Sequence, residues 1–212
     1  AGTPERVRRH LERGDAGDYL ETPKPGDALF ANVSAQVIGN NGLARAGAAE
    51  HARALGYDVV MLDEPIVGEA RDAGATFVRT ALELRARSNA PRVAVIAGGE
   101  TTVTVRGNGR GGRNQELALA GAIELAGTSD ILVASFGTDG IDGPTSVAGA
   151  VADGESVARA GERSVDAHGS LADNDAFGFF GCLHDLLLTG PTGTNVLDVQ
   201  IALVGVTRLT DE

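Results

Sequence analysis

Gly98–Glu116 read GGETTVTVRGNGRGGRNQE, and this stretch decides how the chain is parsed. An apolar run, Val93–Ala97 (VAVIA), leads into it. Thr102–Val105 then alternates polar and apolar residues, which predicts a half-buried strand. Gly107, Gly109, Gly111 and Gly112 follow in one loop with Arg106, Arg110 and Arg113, and Asn114-Gln115-Glu116 reads as a helix start. Strand, glycine loop and helix in that order form one α/β step. Glycines let main-chain N–H groups converge, a helix N-terminus adds partial positive charge, and guanidiniums match carboxylate or phosphate. The stretch therefore predicts an anion site. On composition alone it is a plain surface turn. Two further polar glycine loops, Gly137–Thr145 (GTDGIDGPT) and Thr189–Asn195 (TGPTGTN), favour a shared polar site instead.

Outward from there, Asp58–Leu62 and Ile131–Phe136 read as buried strands, and 148–151 and Val199–Val204 as further strands. Apolar residues at 67, 70, 73, 77, 81 and 84 have helical spacing, which predicts a helix from Val67 to Arg87. Leu43–Leu55, capped by Asn41, Gln115–Leu125, 154–161 and Asp173–Leu187 are also expected to be helical. In Gln115–Leu125, Leu117, Ala120 and Gly121 imply a packed face and Glu124 a solvated one. Near the start, Thr3–Arg13 predicts a basic helix, Asp15–Asp27 an extended linker and Val33–Ile38 a strand. The expected fold is α/β: the tail of a parallel-sheet domain (1–90), then a second α/β domain with a mixed sheet (91–212), with the boundary at Ser88–Pro91.

With 212 residues, 42% of them hydrophobic and 4% aromatic, the core rests on Ala, Val, Leu and Ile. A net charge of −11 argues against nucleic acid and against an anionic membrane surface. No window has the apolar length of a membrane span, the start does not read as a signal peptide, and the default location is cytoplasmic. Cys182 is alone and reads as core, so no internal disulfide is expected. The chain starts at Ala1 with a helix already under way and reads as a cut piece of something longer.

Gly107-x-Gly109-x-x-Gly112 matches the dinucleotide fingerprint, with Asp130 at about the expected distance. That acid should end the second strand, yet Asp130 precedes one, and arginines fill a turn expected to be apolar. A nicotinamide-dependent reductase is therefore the second reading. The phosphate reading explains more. Arg113, at the loop–helix junction, is placed to neutralise a phosphoryl group or clamp a carboxylate. Asp139 and Asp142 are oxygen ligands suited to Mg²⁺, and Glu100, after a strand, joins them. The competing role for each acid is capping or turn formation. Thr192, Thr194 and Asn195 offer groups for a small hydroxyacid, and Asp173-Asn174-Asp175 reads as a helix cap with Asn174 as a candidate to face the site. No P-loop (GxxxxGK[ST]) occurs, and Lys24 is the only lysine, so the usual phosphate-binding lysine is missing.

GGETTVTVRGNGRGGRNQE, FGTDGIDGPTSVAGA, LADNDAFGFF and LLLTGPTGTNVLDVQIAL together resemble the C-terminal domain of glycerate 2-kinases, a family once widely labelled hydroxypyruvate reductase. HLERG, ETPKPGD and VIGNNGLARAGAAEHARALGY resemble the end of that family's N-terminal domain. The resemblance covers nearly the whole chain. It implies ATP- and Mg²⁺-dependent phosphorylation of D-glycerate to 2-phosphoglycerate in a cleft between two α/β domains. It places the catalytic arginine at Arg113. Read from the residues themselves, substrate or nucleotide contacts are expected at Glu100, Gly109, Gly111, Gly112, Asn114, Thr138, Thr192 and Asn195, and metal binding at Asp139 and Asp142. The family's catalytic lysine, near its N-terminus, has no counterpart here. The expected partners are D-glycerate and the missing N-terminal half; a homodimer is one option. A non-catalytic ligand-binding piece is the third reading.

Overall fold

A computed structural model describes residues 2–205, which fall into two compact units divided between Ile38 and Gly39. In the first unit, helix α1 (Glu5–Asp15) has no buried residue, and a 3-10 turn (Ala28–Phe30) is capped by the Asp27 carboxylate, which accepts from Leu29 N. The expected strand at Val33–Ile38 does not form. Val33, Val37 and Ile38 are exposed, and no neighbouring strand takes up their main-chain groups.

The second unit is a mixed α/β fold on one sheet. In chain order it contains α2 (Asn41–Ala54), β1 (Asp58–Met61), β2 (Ile66–Glu69), α3 (Ala70–Arg87), β3 (Val93–Thr102) and α4 (Arg113–Leu125). These are followed by β4 (Ile131–Gly137), β5 (Gly149–Asp153), α5 (Ser156–Glu162), α6 (Ala167–Ala172), α7 (Ala176–Leu183), β6 (Leu186–Leu187) and β7 (Asp198–Val204). The strand order is β1-β3-β7-β4-β5-β6, and β2 lies on the same edge of β3 as β1, further along. Both β1 and β2 run parallel to β3; every other pairing is antiparallel.

β3 is central and buried on both faces, which explains its unbroken apolar run. Val93, Val95 and Ala97 face Phe77, Val78 and Ala81 of α3, while Ala94 and Ile96 face Ala49 and Ala52 of α2. α4 is buried nearly all round, not along one stripe. α3 crosses it so closely that a Cβ on Gly74 would lie 2.2 Å from the Leu117 carbonyl oxygen. On its other side α7 adds Phe179, Phe180 and Leu183.

Several expected boundaries shift. β3 runs through Gly98-Gly99 to Thr102, so Thr102–Val105 is not a strand of its own. The Thr104 N–H and hydroxyl donate to Glu69, and the Arg106 N–H to Asn174, so this backbone leaves the sheet. Val67 lies in β2, because Ile66–Glu69 pairs with Gly99–Thr102 before α3 begins. The helix expected over Asp173–Leu187 is interrupted by left-handed backbone at Asn174 (φ 56°) and His184 (φ 61°). Asn40, not Asn41, caps α2. Residues 88–92 join α3 to β3 of the same sheet, and the compact units of this chain divide between Ile38 and Gly39.

Candidate active site

One end of the sheet gathers the glycine loops. β3 and β4 finish there, β7 begins there, and Asp198 sits in register with Gly99 on one side and Gly137 on the other. The C-terminal edge of strands is where open α/β sheets bind ligands. The 137–143 and 189–195 loops are knitted together: Thr192 N donates to the Asp139 carbonyl (3.1 Å), and Thr192 Oγ1 to the Thr138 carbonyl (2.6 Å). Gly140 holds φ at 82°, and a Cβ there would lie 2.0 Å from the Gly190 carbonyl oxygen, so only glycine fits.

Arg113 is the first residue of α4. Its Nε and Nη2 donate to Asp198 Oδ2 and Oδ1 at 2.6 and 2.9 Å, a side-on bidentate pair. Its Nη1 lies 3.0 Å from Glu100 Oε1. Asp198 is buried, Glu100 about half exposed and Arg113 between them. Hydrogen bonding to Asp198 holds the guanidinium above its ordinary pKa, with a smaller contribution from Glu100. Asp139 is close by: its Oδ1 and Asp198 Oδ1 lie 3.0 and 3.6 Å from where a side chain on Gly137 would begin.

The front of the arginine loop is different. Asn174 Oδ1 accepts from Arg106 N and Gly107 N (2.7 and 3.1 Å), Asp173 Oδ1 from Asn108 N (2.9 Å), the Asp173 carbonyl from Gly109 N (2.9 Å), and Asp175 Oδ1 from Arg110 N (3.1 Å). Those amides are already spent on the chain's own acceptors, and Gly109 packs against Asp175. A dinucleotide pyrophosphate therefore finds no cradle here, and the fingerprint match is incidental. Among the described residues, only the amides of Gly111, Gly112 and Arg113 at this junction lack a partner.

Asp142 is a helix cap, which corrects the expectation of a metal ligand. Its Oδ1 accepts from Asn114 N and Nδ2, and its Oδ2 from Gln115 N and Nε2, at 2.9–3.3 Å. With four N–H groups on two buried oxygens no open coordination position remains. Burial pushes its carboxyl up, against the opposing pull of those donors. Asn114 is buried too, accepting from Ser135 Oγ at 2.6 Å, and does not reach an open surface. Thr138 Oγ1 donates to the Leu197 carbonyl and accepts from Val196 N, so it pins the loop. Asn195 donates to Asp139 Oδ2 (3.1 Å) and accepts from Leu197 N.

A model of the MOFRL family matches residues 93–198. The chain belongs to the MOFRL family. The glycerate 2-kinase of Pyrococcus horikoshii is 38% identical to it over 204 residues, which cover 95% of this chain and 46% of that protein. The D-glycerate 2-kinase of Thermotoga maritima is 39% identical over 186 residues, 87% of this chain and 44% of that one. A crystal structure of glycerate kinase from T. maritima matches with a TM-score of 0.81 at 38% identity, over 96% of this chain and 47% of that chain. The chain is similar to proteins named glycerate 2-kinase or glycerate kinase, and it spans about half the length of the curated relatives it matches.

For Mg²⁺, Asp139 is the carboxylate between the 137–143 and 189–195 loops whose oxygens stay open. Each of its oxygens accepts one N–H, from Ile141 or from Asn195, and keeps a lone pair free. One carboxylate fits an ion whose other ligands are water and phosphate oxygens. Among the described residues no three acidic, His or Cys side chains cluster to form a closed cage. Sequence reading missed Asp198, which looked like the start of an ordinary strand. It also missed Asn41, whose Nδ2 donates to the Val196 and Asp198 carbonyls at 2.9 Å each. A polar residue opening an otherwise apolar strand, at the same sheet end as the glycine loops, was the available signal for Asp198.

Proposed function

We propose that this chain carries the arginine-bearing part of an ATP-dependent glycerate 2-kinase, which phosphorylates the 2-hydroxyl of D-glycerate to give 2-phosphoglycerate. One observation supports it above the rest. The Arg113 guanidinium is fixed by Asp198 at the meeting point of the sheet end and the glycine loops, with Nη1 turned toward half-exposed Glu100. The names and overlap of the Pyrococcus and Thermotoga relatives support the same reading.

In this reading Arg113 is the catalytic cation. It neutralises charge on the oxygens of the transferring phosphoryl group, where positioning and electrostatics supply most of the rate. The free amides of Gly111, Gly112 and Arg113 add donors beside it. Asp139 would hold Mg²⁺, which would supply charge shielding for the phosphate oxygens. Asn195 orients Asp139, and Thr138 and Thr192 keep the 137–143 and 189–195 loops in contact. The second catalytic group, the family's lysine, is supplied by a segment that this chain does not contain, so the chain alone is inactive. No helix among the described residues is long and apolar enough to cross a membrane, and we place the enzyme in the cytoplasm.

The test is Arg113→Ala in a protein carrying both halves, with ADP release measured on D-glycerate. Removal of a phosphoryl-stabilising arginine costs about 10³-fold in turnover. Near-normal turnover removes Arg113 from the mechanism.

A further inference from the structure

We infer that Asp198 is the positioning residue of Arg113, and that Glu100 is a removable occupant of the one guanidinium nitrogen that Asp198 leaves outward. What displaces Glu100 rests on the kinase reading above; the clamp itself does not.

The two carboxylates on Arg113 are of different kinds. Asp198 is 1% exposed and takes Nε and Nη2 in a side-on fork. Its main chain is fixed as well, in register with Gly99 and Gly137, and its carbonyl accepts from Asn41 Nδ2. Neither its carboxylate nor its backbone can follow a ligand. A guanidinium held by its Nε/Nη2 edge presents the opposite end, Nη1 and the second Nη2–H, so the direction in which Arg113 donates is set by the sheet and not by a flexible side chain. Glu100 reaches that nitrogen from the exposed end of β3, and its side chain is about half in water. An ion pair of that kind contributes little and is easily exchanged.

The charges give the exchange a direction. Arg113 and Asp198 cancel, so Glu100 leaves the trio at −1 and repels an arriving phosphate. When Glu100 turns away, Nη1 meets the ligand without that opposing charge. Glu100 therefore competes with the anion for Arg113 and lowers its affinity.

The test uses the ¹⁵N-labelled 212-residue chain and the Arg113 Nε–Hε cross-peak, assigned by its loss in R113K. A clamped Nε–H gives a slowly exchanging, shifted peak. That peak is expected in the wild type and in E100Q, and should be absent from D198N while the rest of the amide spectrum stays dispersed. A bulk-like peak in the wild type, its survival in D198N, or its loss in E100Q overturns the clamp. If D198N does not fold, D198E decides, since it keeps the charge but moves the carboxylate by one methylene: a displaced peak supports the clamp and an unchanged one overturns it. Inorganic pyrophosphate is then titrated while the same peak is followed. Half-saturation about two- to fivefold lower in E100Q than in the wild type, the worth of an exposed ion pair, supports the role of Glu100. Equal values overturn that role. No response in either protein, with the peak protected, upholds the clamp and overturns the phosphate reading on which the part played by Glu100 depends.

Discussion

The arginine–glycine loop contains two anion sites of opposite fate, a few residues apart. At 106–110 the main-chain N–H groups converge on acceptors, and the acceptors are the chain's own Asp173, Asn174 and Asp175. At 111–113 the amides lack partners among the described residues, and the arginine is held by one edge only. The first arrangement is a strut, and in the proposed reading the second is where donors meet a ligand. Local sequence makes both equally attractive to an anion. The difference arises because residues 173–175, about 65 positions away, fill one and not the other. Density of donors is therefore a poor guide to function unless the donors are also unclaimed.

Substitutions break this contrast in a definite order. R113A has the largest effect, about 10³-fold in turnover in the protein carrying both halves. It should also cost the 212-residue chain up to about 3 kcal/mol in urea unfolding, because buried Asp198 loses its partner. Next comes N174A, which removes a side chain that accepts from Arg106 N and Gly107 N and donates to Glu116 at 2.8 Å. A loss of about 2–3 kcal/mol is expected, with faster hydrogen exchange at residues 106 and 107. N174G should be less damaging than N174A in its backbone contribution alone, since φ is 56° there. If N174A left exchange at those amides unchanged, the strut would not exist.

Asp142 gives a smaller, pH-dependent effect. Burial raises its folded carboxyl above the ordinary value. An acid whose folded pKa is raised binds more protons folded than unfolded across that window. Stability should therefore fall as pH rises from the ordinary carboxylate value through the raised one. Urea midpoints measured from pH 4 upward should show this decline, and D142N should flatten it while costing about 1–2 kcal/mol of capping. The smallest effects belong to the arginines of the strut. Arg110 stacks on Phe177 at 4.8 Å and donates to the Pro144 carbonyl, so R110A should cost about 0.5–1 kcal/mol. R106A should fall within about 0.5 kcal/mol of the wild type. Neither should approach R113A in turnover; a comparable loss from R110A would erase the distinction between the two halves of the loop.

The sequence alone was enough for the alternating sheet and helix order, because burial periodicity is local. Val93–Ala97 and Ile131–Phe136 are strands and 70–87 is helical for reasons visible within each window. It was enough, too, for the long ordered motifs of the MOFRL family and for Arg113 at the head of α4. Only tertiary structure decided which polar groups are free. Asp139 and Asp142 are near-identical in sequence context, yet one keeps open lone pairs and the other is closed over by four donors from α4. Asp198 gave only the sign of a polar residue opening a mostly apolar strand, since its importance comes from strand register that sets it between Gly99 and Gly137, facing Arg113. Hydrogen-bonding capacity is a property of a residue, but whether it is already satisfied depends on partners far along the chain, and those meet only when the sheet closes.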